Sequence, residues 1–467
     1  MLKETIFREY DIRGIVGTEI LIDEIYNLTC SMVYYFLQRN PECKKIVLGM
    51  DGRLHSPAIK QEMSRALSDL GMDVIYIGVC SSPTLYYAVH TLAVDAGLMI
   101  TASHNPAEYN GIKICLGKSS VWGAEIKNIQ ALYNAQKKPA FSYNGIVTEL
   151  DIIPDYITYL KNRFPQLIGM SLPLIIDCGN GSAGTVIPFL CTVMKWENIT
   201  LFYPEVDGTY PHHEADPTKE KNMIDVKNAL QKTDAILGIG FDGDCDRMGA
   251  MTKDGYLIPG DKLLALFAQE VIKNNPGCTV VSDIKSSSAV LDLITQWGGK
   301  PVLSPSGHAI IKDNMHTHHA LLGGELSCHF FFADRYFGFD DAFYALLRLL
   351  ELVNQGKTLQ ELLTIIPPMY SSPEYRIDYD ETYKQQIIDD IITLFKARND
   401  TILITIDGVR AQTPYGWGLV RASNTQASLC LRFESTTKEG LFQIKKDFMV
   451  SLERYLNPLE RERILES

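Results

Sequence analysis

The ten cysteines include no Cys-x-x-Cys pair and follow no regular spacing. Disulfide frameworks and zinc sites need such patterns, so the sequence indicates neither and favours a reducing compartment. The chain also lacks an apolar run long enough to span a membrane, and its first residues mix charged with apolar side chains too early for a signal peptide. We therefore expect a cytoplasmic protein with no membrane partner.

Positive charge is in deficit, with 44 Lys and Arg against 56 Asp and Glu and a net charge of -12. Non-specific nucleic-acid binding needs a basic surface, so we expect no nucleic-acid partner. The 467 residues, 46% hydrophobic and 21% charged, are ordinary for a soluble globular protein. This length predicts roughly three or four domains.

Strands and helices alternate near the N-terminus. Residues 45–50 read as a strand, and Ser56 with Pro57 is predicted to provide the N-cap and first position of a helix that Gly71 closes. A second strand follows at residues 74–77. This rhythm is typical of parallel α/β structure.

The stretch Thr101-Ala-Ser-His-Asn-Pro-Ala-Glu-Tyr-Asn110 follows an apolar run, residues 96–100, that reads as a buried strand. Asn105-Pro106 breaks the strand, which presents Ser103 on a loop at its C-terminal end. Ligands bind at that end in open α/β sheets. Taken alone, a serine before Asn-Pro is more often a simple turn residue.

A second stretch, Phe241-Asp-Gly-Asp-Cys-Asp-Arg247, also follows an apolar run and places three carboxylates within five residues. Clustered carboxylates repel one another unless a cation lies among them. A solvated acidic turn is the alternative. An EF-hand is excluded, because its sixth position would be Arg247 and its twelfth Lys253. An all-oxygen site of this kind suits Mg²⁺.

A glycine-rich turn in the middle of the chain matches the dinucleotide-binding pattern, through Gly179, Gly181 and Gly184. That interpretation needs an acidic residue about 20 positions further on, and Glu197 and Glu205 fit this requirement only in part. A tight turn between a strand and a closely packed helix is the interpretation we favour.

Two histidine tracts resemble metal sites. For His212 and His213 a structural role is favoured, because the spacing offers no third ligand. The tract of residues 316–319 is expected to lie on a surface helix without a function.

The Ser103 and Asp242 stretches, in this order and spacing, resemble the α-D-phosphohexomutase superfamily and closely its phosphomannomutase/phosphoglucomutase branch. The resemblance covers nearly the whole chain. It implies that Ser103 carries a phosphoryl group and that Mg²⁺ is held by Ser103 and the three aspartates, Asp242, Asp244 and Asp246.

Further motifs extend the resemblance. They imply catalytic-site roles for four more residues: Arg13, Lys113, Arg247 and His329, the last as general acid or base. They also imply substrate contacts from nine residues: Tyr10, Lys285, His308, Glu325, Ser327, Arg421, Ser423, Asn424 and Thr425. Glu325 and Ser327 would bind the C3 and C4 hydroxyls of the sugar, and the residues from Arg421 onward would bind its phosphate.

The expected fold is α/β: three tandem mixed-sheet α/β domains that share a repeated topology, then a C-terminal α+β domain, around a central cleft. The predicted domains are residues 1–148 with the phosphoserine loop, 149–256 with the metal-binding loop, 257–366 with the sugar-binding loop and 367–467 with the phosphate-binding loop. Four loops from four domains must converge, so we also expect some hinge movement of the last domain.

The expected activity is reversible phosphoryl transfer between C1 and C6 of mannose and glucose phosphates, through a hexose 1,6-bisphosphate. Glucose 1,6-bisphosphate would act as an activator, and the protein would be a monomer or weak homodimer. Glucose and mannose differ only at C2, so a loop that reads C3 and C4 accepts both. A phosphoglucosamine mutase, an inactive sugar-phosphate-binding paralogue and a phosphatase remain alternatives.

Two cysteines depart from the family pattern, since Cys245 and Cys328 stand where the family usually has glycine. If these positions need a positive φ, each cysteine adds backbone strain. Cys245, between the predicted metal ligands, would also make the activity sensitive to oxidation.

Overall fold

The computed structural model describes residues 1–139, 144–378, 381–422 and 428–466, without the side chains of residues 381 and 382. These residues form four β-sheets that follow one another along the chain. Among them, no helix has both the length and the apolar character needed to cross a membrane.

The first sheet has seven strands in the order β1-β5-β4-β2-β3-β7, with β6 paired to β5. Its strands are β1 (Ile12–Ile15), β2 (Lys45–Met50), β3 (Asp73–Val79), β4 (Ala96–Ile100), β5 (Tyr109–Leu116), β6 (Ser119–Ser120) and β7 (Val147–Glu149). Its helices are α1 (Ile22–Arg39), α2 (Ser56–Asp69), α3 (Ser82–Thr91) and α4 (Ala124–Asn134).

The second and third sheets have four strands each. The second contains β8 (Leu174–Asp177), β9 (Ile199–Phe202), β10 (Leu237–Phe241) and β11 (Met248–Thr252), with helices α5 (Ile153–Arg163), α6 (Ile187–Met194) and α7 (Ile224–Lys232). The third contains β12 (Thr279–Asp283), β13 (Lys300–Ser304), β14 (Leu322–Gly324) and β15 (Phe330–Phe332). Its helices are α8 (Gly260–Asn274), α9 (Ser288–Gln296), α10 (His308–Thr317), α11 (Ala342–Val353) and α12 (Leu359–Leu363).

The expected repeated topology is confirmed by the strand pairing. In each of the three sheets a central strand pairs in parallel with the next two strands along the chain, one on each side, and a fourth strand pairs antiparallel to the third. The orders are β5-β4-β2-β3, β11-β10-β8-β9 and β15-β14-β12-β13. The same connection, from the third strand to the fourth, therefore occurs three times.

The fourth sheet is antiparallel, as expected for an α+β unit, with the order β16-β21-β20-β19-β18 and β17 paired to β21. Its strands are β16 (Tyr370–Ser371), β17 (Tyr375–Asp378), β18 (Ile402–Ile404), β19 (Val409–Thr413), β20 (Gly416–Ala422) and β21 (Ser428–Ser435). The helices are α13 (Glu381–Lys396), α14 (Lys438–Leu452) and α15 (Pro458–Glu466).

The largest apolar core extends across three sheets. It joins Leu85 of helix α3 with Phe241 of the second sheet and Phe343 of the third. The first sheet has a further core around helices α1 and α2, and the fourth sheet has its own. The predicted domain boundaries stay predictions.

One predicted cap is wrong. Helix α2 begins at Ser56, and its N-cap residue is His55, so Ser56 occupies the first helical position. The Ser56 hydroxyl donates instead to Asp51 Oδ1 at 2.8 Å. A carboxylate at the end of strand β2 therefore binds the side chain that would otherwise cap the helix.

Candidate active site

Three of the predicted functional loops occupy the same place in the three repeated sheets. The Ser103 loop (residues 101–108), the Asp242 loop (residues 242–247) and the Glu325 loop (residues 325–329) each connect a third strand to a fourth. Each begins at the carboxyl end of a parallel strand, where open α/β sheets bind ligands.

A cleft of about 420 Å³ lies between the four sheets. Nine of the predicted site residues line it: Tyr10, Arg13, Arg247, Lys285, His308, Glu325, Ser327, His329 and Arg421. Cationic side chains dominate this lining, although the chain as a whole is acidic. Such a cleft attracts an anionic ligand by local charge.

Ser103 directly precedes His104 and Asn105, which line this cleft, and it is 2% exposed in a left-handed backbone conformation with φ of 50°. Its hydroxyl donates to Asp242 Oδ2 at 2.7 Å and lies 3.1 Å from His104 Nδ1. A Cβ atom at Gly243 would lie only 2.4 Å from the Ser103 carbonyl oxygen, so the two loops are in direct contact. The serine is thus fixed against the aspartate cluster.

Asp242, Asp244 and Asp246 are all buried, and each offers a ligand atom within 4.8 Å of the others. Asp244 Oδ1 is buried without a hydrogen-bond partner, whereas Asp246 Oδ1 lies 3.2 Å from His329 Nε2. Burial raises the pKa of Asp242 well above its usual range, and the charges of Asp246 and Asp244 raise it further. The unpaired Asp244 oxygen and this mutual repulsion fit a divalent cation, for which carboxylates are suitable ligands.

Lys113 lies behind the aspartates rather than on the cleft wall. Its ammonium group is 3% exposed and lies 2.6 Å from Asp244 Oδ2 and 2.5 Å from Asp246 Oδ2. Burial lowers the pKa of Lys113, but the charges of Asp244 and Asp246 outweigh it and raise the pKa above its usual value. The lysine therefore balances part of the cluster's charge.

Arg13 and Tyr10 lie in the N-terminal arm, residues 1–15, which ends with strand β1. Arg13 donates to Asn105 Oδ1 at 2.7 Å and to the Ala102 carbonyl at 3.3 Å, on either side of Ser103. The Tyr10 hydroxyl donates to the Ser306 carbonyl of the third sheet. The arm therefore joins the Ser103 loop to the opposite wall of the cleft.

His329 lies between two carboxylates, with Nδ1 2.9 Å from Glu325 Oε2 and Nε2 3.2 Å from Asp246 Oδ1. Burial and the nearby Arg247 lower the pKa of His329, but the two carboxylates outweigh them and raise it to about 9. The protonated ring is therefore the form present at neutral pH, which favours the acid over the base among the two roles predicted for it.

The predicted sugar contacts lie together on one wall. The Glu325 carboxylate accepts a hydrogen bond from the Gly307 N–H at 2.7 Å, and the Ser327 hydroxyl lies 3.1 Å from His329 Nδ1. His308 lines the cleft, and its Nδ1 lies 3.2 Å from Oδ2 of the buried Asp340. The carboxylate of Glu325 keeps lone pairs for further donors, because it can accept about four hydrogen bonds.

Arg421 reaches the cleft from the end of strand β20. Its Nε donates to Asp407 Oδ2 at 2.7 Å, and the same oxygen accepts from the Ser306 N–H at 3.1 Å. Asp407 thus holds the guanidinium group and ties the fourth sheet to the third. Three further predicted phosphate contacts, Ser423, Asn424 and Thr425, lie outside the described residues.

The packing of the glycine-rich turn supports its structural interpretation. A Cβ at Gly184 would lie 1.9 Å from the Pro204 carbonyl oxygen, and one at Gly181 2.9 Å from that of Gly243. Gly181 therefore allows the turn to pack against the Asp242 loop, and Gly184 allows it to pack against the segment after strand β9.

The histidines of the first tract, His212 and His213, make structural contacts. His213 Nε2 lies 2.9 Å from Asp177 Oδ2, and His212 stacks on Tyr203 at 3.8 Å. Within the described part of the chain, neither tract contributes to a group of possible metal ligands.

The two unusual cysteines occupy the strained positions that their sequence context predicts. Cys245 has a φ of 64° and Cys328 a φ of 67°. The expected sensitivity of Cys245 to oxidation is not favoured, because its thiol is fully buried and burial raises its pKa well above the usual value. Oxidants attack exposed thiolates.

Sequence reasoning missed several residues of the site. Asp340 groups with Asp246 and His329, and Arg376 of strand β17 lines the cleft together with Glu374, which precedes that strand. Arg8 also lines it, within the same arm as Tyr10. Arg8 stands two residues before Tyr10 in the sequence, whereas the others reach the site through packing between distant segments.

Four family models match consecutive parts of the chain. The phosphoglucomutase/phosphomannomutase α/β/α domains I, II and III match residues 4–140, 154–255 and 259–370. The C-terminal domain of the same family matches residues 375–450.

Curated and solved proteins resemble the chain over nearly its whole length. A phosphomannomutase/phosphoglucomutase of Pseudomonas syringae pv. tomato is 38% identical over 462 residues, which cover 98% of this chain and 97% of that protein. A phosphoglucomutase of Neisseria meningitidis serogroup A is 38% identical over 449 residues, 96% of each chain. A crystal structure of a phosphoglucomutase/phosphomannomutase family protein from Burkholderia thailandensis has a TM-score of 0.89 at 32% identity and covers 97% of this chain and 98% of that one.

Proposed function

Because the chain belongs to the phosphoglucomutase/phosphomannomutase family, we propose that it transfers a phosphoryl group reversibly between C1 and C6 of hexose phosphates through phosphorylated Ser103. The observation that carries this proposal is the hydrogen bond from the Ser103 hydroxyl to Asp242, at the edge of a cationic cleft. A phosphoryl group on Ser103 would lie beside the aspartates and the cleft together.

In the first half of the reaction, a free hydroxyl of the sugar phosphate attacks the phosphorus atom on Ser103. The bond from phosphorus to Ser103 Oγ breaks as the bond to the sugar oxygen forms, the hydroxyl loses its proton, Ser103 Oγ takes one up, and a hexose 1,6-bisphosphate results. The bisphosphate then turns over in the cleft, and its other phosphoryl group returns to Ser103. Glucose 1,6-bisphosphate would activate the protein by phosphorylating any unmodified Ser103.

A divalent cation is the proposed cofactor, with Mg²⁺ as the natural candidate for an all-oxygen site. Asp242, Asp244 and Asp246 would hold it together with an oxygen on Ser103. When bound, the cation supplies positive charge that stabilises the phosphoryl group during transfer.

The chain's own cations orient the reacting groups. Arg13 and Arg247 lie beside the Ser103 loop and the Asp242 loop, where they can pair with phosphoryl oxygens. His329, protonated at neutral pH, can donate a proton to an oxygen that leaves phosphorus. Lys113, buried on the far side of the aspartates from the cleft, offsets part of their negative charge.

The substrate's other end would be held by two walls. Glu325 and Ser327 would bind the C3 and C4 hydroxyls, with His308 beside them. Arg421 and Lys285 would pair with the non-transferring phosphate, aided by Ser423, Asn424 and Thr425. Turning the sugar over exchanges its C3 and C4 hydroxyls at the same loop, so one site can serve both halves of the reaction.

Mannose and glucose phosphates are both proposed as substrates. The C3 and C4 contacts do not read C2, where the two sugars differ. Similar relatives are named for one sugar or for both, which leaves the preferred sugar to be measured. Phosphoglucosamine mutase is the second candidate, and a cytoplasmic monomer or weak homodimer is the proposed form of the protein.

Initial rates on glucose 1-phosphate, mannose 1-phosphate and glucosamine 1-phosphate test the function, with Mg²⁺ and a trace of glucose 1,6-bisphosphate. We expect comparable rates on the first two sugars, little on the third, and no rapid turnover by Ser103→Ala. A dominant glucosamine rate would favour the second candidate. Release of free phosphate without isomerised sugar would indicate a phosphatase, and no activity on any sugar would indicate a binding paralogue.

A further inference from the structure

Arg53, in the connection between strand β2 and helix α2, is one of the most deeply buried charged residues that the structure describes. Its side chain is 0% exposed, as is that of Asp51, and Arg53 Nε donates to Asp51 Oδ2 at 3.1 Å. Asp51 directly follows strand β2. The pair is therefore a buried ion pair at the carboxyl end of a central strand, where burial is costly unless every donor is satisfied.

The remaining donors of Arg53 all reach the Ser103 loop and the residue after it. Nη2 donates to the carbonyls of Ser103 at 2.7 Å and Asn105 at 2.6 Å. Nη1 donates to the carbonyls of Pro106 at 2.6 Å and Tyr109 at 3.0 Å. A guanidinium group has five N–H donors in a fixed planar arrangement, and here each one has an acceptor.

The same chain position recurs in the third sheet. Asp283 ends the first strand of that sheet, as Asp51 follows the first strand of the repeated unit in the first sheet. Lys285 stands two residues after Asp283, and Arg53 stands two residues after Asp51. Lys285 lines the cleft, whereas Arg53 is turned toward the backbone of a neighbouring loop. The repeated unit thus uses one position for a substrate contact in one copy and for a loop contact in the other.

The loop that Arg53 holds is strained and closely packed. Ser103 is a non-glycine residue at a φ of 50°, a conformation that costs energy and persists only when its surroundings enforce it. The carbonyl of this same residue is both an acceptor for Arg53 and the atom nearest to where a Cβ at Gly243 would lie, at 2.4 Å. A shift of this carbonyl would move Ser103 relative to the Asp242 loop.

We propose that Arg53 is a positioning residue for phosphoryl transfer, which holds Ser103 in its reactive conformation by binding three backbone carbonyls of its loop and the carbonyl of Tyr109, which follows the loop. The inference rests on the proposed function of Ser103. Carbonyl oxygens that point at Arg53 cannot point at an anionic phosphoryl group on Ser103. Lysine keeps the charge, but its three donors cannot reproduce a planar array of five.

The test compares Arg53→Lys with the matched control Arg348→Lys. Arg348 is also 0% exposed and binds two carboxylates, Asp334 at 2.8 Å and Glu270 at 3.1 Å, away from the cleft. For Arg53→Lys we expect kcat to fall about a hundred-fold, the loss expected when a reacting group is misplaced by about 1 Å. KM should change less than about three-fold, because other loops bind the substrate. Arg348→Lys should lower Tm yet keep the kcat of the folded protein.

A second readout separates positioning from stability. Single-turnover transfer from phosphorylated Ser103 to the sugar should slow in Arg53→Lys as much as kcat does, at temperatures where the protein is folded. A kcat within three-fold of the original chain, with a loss of Tm like that of Arg348→Lys, would overturn the inference. If Arg53→Lys does not fold, Asp51→Asn decides: a fall of about ten-fold in kcat supports the inference, and an unchanged kcat overturns it.

Failure of the inference is distinguishable from failure of the proposed function. Ser103→Ala should lose rapid turnover whether or not Arg53 acts on the loop. If Ser103→Ala stays fully active, the phosphoserine itself is wrong. If Ser103→Ala is inactive and Arg53→Lys is fully active, only the role of Arg53 is wrong.

Discussion

Ser103 and Asp242 are 139 residues apart in the chain, yet the hydroxyl of one donates to the carboxylate of the other at 2.7 Å. The contact joins the same connection, from third strand to fourth, in two copies of a repeated sheet. Topological repetition therefore brings the serine and the carboxylates together, and each prediction below tests one consequence of that arrangement.

Asp242→Asn should stabilise the metal-free protein and inactivate it. Burial and the charges of Asp246 and Asp244 raise the Asp242 pKa, so its ionised form destabilises the metal-free fold at neutral pH. In EDTA we expect Tm to rise by about 2–4 °C, the shift typical of about 1 kcal/mol in a large domain. Activity should fall about 10²-fold or more, as for loss of an electrostatic group.

Asp340→Asn is the matched control for that measurement. Its carboxylate lies 2.9 Å from the Lys312 ammonium, and Lys312 and His308 hold the Asp340 pKa well below its usual range despite burial. Removing this charge should lower Tm, the opposite sign. Equal shifts in the two variants would contradict the electrostatic interpretation of the aspartate cluster.

Mg²⁺ should raise the Tm of the unmodified chain. A ligand present at 100 times its Kd adds about 2.7 kcal/mol to the free energy of unfolding. Asp244→Asn removes the negative charge of a carboxylate whose Oδ1 has no hydrogen-bond partner, so the Tm rise at the same Mg²⁺ concentration should shrink or vanish. A titration followed by differential scanning fluorimetry measures this, and an undiminished rise in Asp244→Asn would place the cation elsewhere.

Glu325→Gln should move the alkaline limb of the kcat/KM profile to lower pH. The His329 pKa is raised to about 9, so its protonated form is present below that pH and is lost as the pH rises through it. Removing the Glu325 charge, 2.9 Å from Nδ1, lowers the pKa by about one unit or more. If the alkaline limb stays at the same pH in Glu325→Gln, a group other than His329 titrates there.

Cys245→Gly should be more stable than Cys245→Ala, by about 1 kcal/mol. At a φ of 64°, alanine keeps the strain of a Cβ in the left-handed region whereas glycine removes it. Cys80, equally buried but absent from the positive-φ residues, provides the control. There Gly should be the less stable of the two, and chemical denaturation of the four variants checks both signs.

Contiguous motifs let the sequence predict the centre of the site. The Ser103 and Asp242 loops each follow an apolar strand within a few residues, so short stretches contain both the strand signal and the functional side chains. Cys245 and Cys328 stand where the family usually has glycine, and this difference predicted backbone strain at both positions if they need a positive φ. The alternation of strands and helices indicated parallel α/β structure, and the resemblance to a known family implied the repeated topology.

Long-range pairings could not be read from the sequence in the same way. The bonds of Arg53 reach the carbonyls of a loop about 50 residues away, as in its hydrogen bond to Ser103 at a separation of 50. Asp407 lies in the connection between strands β18 and β19, yet it binds Arg421 and the backbone of Ser306. The sequence predicts Ser56 as a helix N-cap, because no local signal indicates that Asp51 accepts a hydrogen bond from its hydroxyl. Packing between segments decides these contacts.

The most direct test of the account is a single-turnover experiment on the purified chain. The protein is first phosphorylated with glucose 1,6-bisphosphate and freed of ligand, and the modified residue is located by peptide mass spectrometry. It is then mixed with mannose 1-phosphate. We predict one phosphoryl group on Ser103 and its transfer to the sugar as mannose 1,6-bisphosphate at a rate no slower than kcat. Turnover without phosphate on Ser103, or transfer much slower than kcat, would contradict the phosphoserine mechanism.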